Sequence, residues 1–94
     1  NRSIDMAACA EHGITVCGTA SVGHPTVDLT WGLILALARG IPAQEASLRA
    51  GRWQGMPLGY TLEGRNLGVI GLGNLGSRVA KVGAALGMNI LGWS

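Results

Sequence analysis

Charge is scarce in this chain: Lys, Arg, Asp and Glu together make up 13% of the residues, and the formal net charge is only +2. The cations Arg2, Arg39, Arg49, Arg52, Arg65, Arg78 and Lys81 are spread from one end to the other. No basic stripe suited to nucleic acid and no acidic tail results. Cysteine is limited to Cys9 and Cys17, with no CxxC and no adjoining His/Cys set, so neither zinc nor thioredoxin-type chemistry is indicated. No secretory signal is in view, which makes a reduced, cytoplasmic setting the expectation. Long hydrophobic runs are missing too. The longest, Leu33 to Ala38, is bounded by Thr30 and Arg39 and falls far short of the roughly 18 residues needed to span a bilayer, so no membrane partner is expected. Phenylalanine, internal repeats and low-complexity tracts are also absent.

What is present is glycine, 16 residues of it, in a chain that is 48% hydrophobic. That combination belongs to tightly packed α/β proteins rather than to disordered chains. The sequence opens at Asn1 rather than Met and stops at Ser94, directly after an apparent strand. It therefore reads as an internal stretch of a longer protein, since a single βαβ unit cannot complete the sheet that buried-type strands require. Taken alone, such a piece is expected to fold poorly, because its strands would present open edges.

The richest stretch is NLGVIGLGNLGSRVAKVGAALGMNILGW, Asn66 to Trp93. A short apolar run (Leu67, Val69, Ile70) meets Gly71, Gly73 and Gly76, a helical segment follows, and the apolar run Met88 to Trp93 closes the unit. The order is strand, glycine turn, helix, strand. In a GxGxxG turn the three glycines serve different ends. Gly71 permits the tight exit from the strand, Gly73 lets a pyrophosphate approach the backbone, and Gly76 lets the helix pack close to the strand. The phosphates would meet unpaired N–H groups at the positive end of the helix dipole.

Upstream, Ser3 and Asp5 are placed to cap a short helix from Ile4 to Glu11 that His12-Gly13 ends. Ile14 to Cys17 reads as a β-branched strand, with Cys17 a small buried hydrophobe. Pro25 opens a helix to Arg39 that is apolar on almost every side and is expected to be buried. Asp28 near its start would suit the helix dipole. Gly40 ends it. Pro42 opens another helix to about Ala50 with Gln44, Glu45 and Arg49 on its wet face. Arg52 to Tyr60 is a glycine-punctuated connector that packs over the surface, and Glu63 to Asn66 turns into the strand. Trp31 and Trp53 read as core or interface anchors, Arg78 and Lys81 as solvated, and His24 as a structural residue whose ring meets backbone groups at the helix entry.

With these segments in order, IDMAACAEHGITVCGT, PTVDLTWGLILALAR and LGVIGLGNLGSRVAKVGAALGMNILGW together resemble the D-isomer-specific 2-hydroxyacid dehydrogenases. The resemblance implies an α/β fold: residues 1–20 as the tail of a flavodoxin-like substrate domain, and residues 21–94 as the first part of a Rossmann, doubly wound parallel-sheet, cofactor domain. The interdomain helix would cover about 25–39 and the first βαβ unit about 67–94. It implies NAD or NADP as cofactor, with Gly71, Gly73, Asn74, Leu75 and Gly76 at the pyrophosphate, Ser94 near the adenosine ribose, and Thr26 facing the nicotinamide end of the cleft. Many relatives carry a basic residue where this chain has Asn74, whose amide still donates to a phosphate oxygen but brings no charge. Ser94 falls where NAD-preferring members usually place an Asp, which leaves NADP admissible.

The reaction implied is hydride transfer between a nicotinamide and a small 2-hydroxy or 2-oxo acid, by a two-fold dimer. The family's catalytic Arg, Glu and His lie beyond Ser94, and neither His12 nor His24 matches the catalytic His. No catalytic residue and no metal site is therefore expected in this chain, which alone should be inactive. The same fold also serves a transcriptional corepressor, so a dinucleotide-sensing module without turnover is the alternative. An S-adenosylmethionine-dependent methyltransferase fits poorly, because it leaves the first 65 residues unexplained.

Overall fold

In the computed structural model, which describes residues 3–20 and 23–94, the elements run α1 (Met6–Glu11), α2 (His24–Arg39), α3 (Ile41–Arg49), β1 (Asn66–Ile70), α4 (Asn74–Ala85) and β2 (Asn89–Trp93). The division expected at 20/21 falls against residues 21 and 22, which lie outside the described set. Punctuation explains most boundaries. Asp5 caps α1 by accepting from the N–H groups of Ala7 and Ala8, both at 3.0 Å, so the helix starts two residues after Ile4. Proline stands in the first turn of both α2 and α3, where its missing N–H costs nothing. Gly40, at φ 63°, closes α2 and serves as the N-cap of α3.

β1 and β2 form a parallel pair, Asn66 opposite Asn89 and Ile70 opposite Trp93. Parallel neighbours need a crossover, and α4 supplies it, packing on both strands. α2 then lies against α4. The core sits between these layers: Val27, Trp31, Ala38 and Leu62 are buried, with Ile34, Leu67, Val79 and Met88 packed around them. Val27, Trp31, Ile34 and Ala38 recur at helical spacing, so they form one face of α2.

Several expectations change. Ile14 to Cys17 is not a strand: among the described residues nothing pairs with it, and an extended segment without a ladder has no strand hydrogen bonds to make. Cys17 is accordingly exposed. α2 is buried on one face only, with Leu29, Leu33 and Leu37 exposed by 64%, 63% and 79%. Asp28 is the fifth residue of α2, beyond the first turn where the dipole acts. Gln44 is half-buried rather than on the wet face, because its amide donates to the carbonyls of Met56 (3.1 Å) and Pro57 (2.8 Å) and ties the connector to α3. Glu45 and Arg49 do form an exposed ion pair at 2.7 Å. Trp31 is core, whereas Trp53 is 78% exposed.

The radius of gyration is 20.1 Å, against about 12 Å for a compact chain of this length. α1 packs against none of the other elements, and large apolar side chains such as Ile70 and Trp93 stand exposed. Among the described residues no helix is long and apolar enough to cross a membrane.

Candidate functional site

Both strands end at the same edge. Gly71 donates its N–H to the Trp93 carbonyl at 2.7 Å, which sets Ser94 one residue from the glycine turn. In open α/β sheets the crevice outside the carboxyl ends of the strands is where ligands bind. A cavity of about 550 Å³ between Ile34, Tyr60, Arg65, Leu67 and Met88 lies at the opposite end of β1. Arg65 stacks over the Tyr60 ring there, 4.2 Å from its centroid, and no group of functional side chains points to a reaction.

The three glycines of the turn are distinguishable by what the backbone demands of each. Gly71 has φ 90°, a conformation that L side chains rarely adopt. At Gly76 an added Cβ would collide with the carbonyl oxygen of Gly71, so α4 sits against the turn only because no side chain intervenes. Gly73 has φ −69° and ψ −162°, an extended conformation open to any residue, and among the described residues an added Cβ there would meet nothing within 4 Å. Nothing among the described residues requires glycine at this position. Gly76→Ala is therefore expected to cost about 1–3 kcal/mol, the range for forcing extra atoms into a packed contact, read as a lowered denaturation midpoint.

Gly73 is the N-cap of α4 and provides no side-chain cap, and the first turn holds no acidic residue. Its N–H groups and the positive end of the dipole thus remain available to an external anion. The Ser77 hydroxyl donates to the Leu72 carbonyl at 2.7 Å, and the Ser77 N–H donates to the Gly73 carbonyl at 3.0 Å. Together they fix the turn from inside the helix. A diphosphate needs such a cradle: backbone donors, no competing carboxylate and room at the middle glycine.

Asn74 and Leu75 are exposed on the first turn of α4, and Leu75 reaches the start of α2, its Cδ2 lying 2.8 Å from where a Cβ of Gly23 would stand. Thr26 lies three residues further along α2, exposed, its carbonyl accepting from the Thr30 hydroxyl at 2.8 Å. Arg78 departs from expectation. It is half-buried, its Nε donates to Asn74 Oδ1 at 3.0 Å, and its Nη1 lies 3.2 and 3.0 Å from the two ring nitrogens of His24. The His24 ring therefore meets a guanidinium rather than backbone groups. The Asn74–Arg78 spacing of four residues is a readable signal, whereas the contact with His24, 54 residues away in sequence, has none. Lys81 is exposed as expected.

The family model described as "D-isomer specific 2-hydroxyacid dehydrogenase, NAD binding domain" matches residues 31–94. A D-3-phosphoglycerate dehydrogenase of Methanocaldococcus jannaschii is 45% identical over 93 residues, covering 97% of this chain and 18% of the relative. A hydroxypyruvate reductase of Thermotoga maritima is 42% identical over 93 residues, covering 97% of this chain and 30% of the relative. Among solved structures, D-lactate dehydrogenase from Aquifex aeolicus, complexed with NAD and lactic acid, superposes with a TM-score of 0.81 at 32% identity, over 97% of this chain and 28% of that one. The chain thus spans less than a third of the length of each of these proteins.

Proposed function

The chain belongs to the D-isomer-specific 2-hydroxyacid dehydrogenase family, and on that premise we propose that Gly71, Gly73, Asn74, Leu75 and Gly76 hold the pyrophosphate of NAD or NADP. The protein would transfer hydride between the nicotinamide and a small 2-hydroxy or 2-oxo acid. The observation that carries the assignment is Gly73: a glycine that neither backbone angle nor packing requires, at the uncapped N-terminus of α4. Only a ligand that must approach the backbone closely gives it a reason to be there. When bound, the nicotinamide supplies the hydride chemistry; the residues of this chain bind and orient the cofactor.

Ser94 is assigned to the adenosine ribose, where its hydroxyl neither repels nor strongly binds a 2′-phosphate, and Thr26 to the nicotinamide end. Residues 1–20 are assigned to a flavodoxin-like substrate domain and residues 21–94 to the cofactor domain; the isolation of α1 from the other elements supports that division. The two free thiols suit a reducing cytoplasm. The test is turnover by full-length protein: NADH or NADPH should be oxidised with glyoxylate, hydroxypyruvate or phosphohydroxypyruvate. Cofactor binding without measurable reduction of any of the three would replace the enzyme reading with the sensing one.

A two-fold dimer completes the proposal. Leu29, Leu33 and Leu37 form a continuous exposed stripe on the face of α2 away from the core, a stripe that water disfavours and a second copy would cover. Leu33→Glu with Leu37→Glu is expected to convert dimer to monomer in light scattering while leaving the fold intact, since neither side chain contributes to the buried cluster. An unchanged mass would exclude this face as the interface.

A further inference from the structure

Asn74 offers the proposed phosphate site an amide where a cation would bind more strongly, and that amide has two unlike ends. Its NH₂ attracts a phosphate oxygen and its carbonyl oxygen repels one. Which end faces the crevice depends on what holds the side chain. Arg78 Nε carries only a donor, so the amide atom 3.0 Å from it must be the oxygen. That leaves the NH₂ as the end of Asn74 that Arg78 does not hold, and it lies at the start of α2, 3.7 Å from where a Cβ of Gly23 would stand. The guanidinium is itself tethered at its other end, with Nη1 3.2 and 3.0 Å from the His24 ring nitrogens at the start of α2. The guanidinium therefore bridges the first turn of α4 and the mouth of α2, where one nitrogen of a neutral His24 ring can accept from Nη1.

We propose that Arg78 is a positioning residue for the pyrophosphate: it holds the Asn74 amide with its NH₂ toward the phosphate and braces it against His24, and so offsets the missing charge at Asn74. This rests on the cofactor site proposed above. Its planar fork is essential to the role, because Lys carries the same charge as a point and lacks the two-sided donor geometry.

The experiment is a set of NADH, ADP and adenosine titrations of the full-length protein and its variants, with the denaturation midpoint of each variant measured alongside. Arg78→Met is expected to weaken NADH and ADP about 10- to 150-fold, the scale of one hydrogen bond to a charged group, and to leave adenosine, which has no phosphate, unchanged. Arg78→Lys should bind as poorly as Arg78→Met. In an Asn74→Ala background, Arg78→Met should change NADH affinity by less than about 2-fold, because its effect acts through the amide. Full recovery with Lys, or an equal loss in both Asn74 backgrounds, would overturn the proposal and leave the cofactor site standing. No loss with Arg78→Met in an otherwise NADH-binding protein would overturn it as well. Failure of the unmodified protein to bind NADH would instead refute the cofactor site itself.

Discussion

Gly73→Val should weaken NAD(H) binding by about 100-fold or more and lower stability by only about 1 kcal/mol. The affinity figure follows from the geometry of the turn: a branched side chain at the N-cap of α4 would stand between the diphosphate and the first-turn N–H groups. Removing two charge-assisted hydrogen bonds at about 1.5–3 kcal/mol each accounts for a loss of that size. The stability figure follows from open space. Among the described residues a Cβ at Gly73 meets nothing within 4 Å and φ is −69°, so the cost is that of placing a poor residue at a helix N-cap. Calorimetric titration and a thermal melt of the same sample separate the two effects. The contrast with Gly76, where a Cβ would strike the Gly71 carbonyl, matters most. Gly76→Ala should lose stability and binding together, Gly73→Val binding almost alone. Unchanged cofactor affinity in Gly73→Val would remove the reason offered for that glycine.

Trp31→Ala should destabilise the fold by about 3–5 kcal/mol, the range for deleting a large aromatic side chain from a core. Trp31 is 5% exposed and is the largest of the buried hydrophobic residues Val27, Trp31, Ala38 and Leu62 among the described residues. Its ring also reaches α4, with Cζ2 lying 3.3 Å from where a Cβ of Gly83 would stand. Losing it uncouples α2 from the βαβ unit. Domain stabilities run to only about 5–15 kcal/mol, so the loss is a large fraction of the total. Trp31→Phe makes the claim specific. Among the described residues the buried indole Nε1 has no hydrogen-bond partner, so Phe forfeits volume but no hydrogen bond to those residues. It should cost no more than about 1.5 kcal/mol. Urea denaturation resolves the two variants; equal losses would mean that the ring's volume is not what joins the layers.

Much of the βαβ unit is legible in the sequence because its signals are local. An apolar run, a GxGxxG turn and a second apolar run need only near neighbours to read, and the observed β1, α4 and β2 match that order. Pro25, Gly40 and Pro42 likewise mark helix ends by constraints that each residue carries itself. Ile14 to Cys17 misleads for the opposite reason. Its β-branched residues favour extension, but a strand is a relation between two segments, and among the described residues this one has no partner. Composition overstates the burial of α2 because it cannot say which face is covered: Val27 and Trp31 pack inward while Leu33 and Leu37 do not.

The candidate site divides in the same way. The roles of Gly71 and Gly76 are readable from the motif, and the backbone angle of one and the close approach at the other agree with that reading. The bracing of Asn74 by Arg78 and His24 is not, since it joins two helices far apart in sequence. Nor can the motif distinguish the glycine that the fold needs from the one that it does not. That distinction depends on what an added Cβ would touch.

The most direct measurement of the central claim, that the turn from Gly71 to Gly76 receives the dinucleotide pyrophosphate, is a titration of ¹⁵N-labelled protein with NADH followed by amide chemical shifts. The largest shifts should fall on the backbone N–H groups of Leu72, Gly73, Asn74 and Leu75, ADP should reproduce them, and the amides of Gly64, Arg65 and Asn66 beside the large cavity should stay in place. Saturable shifts at those last three residues with none at the glycine turn would contradict it.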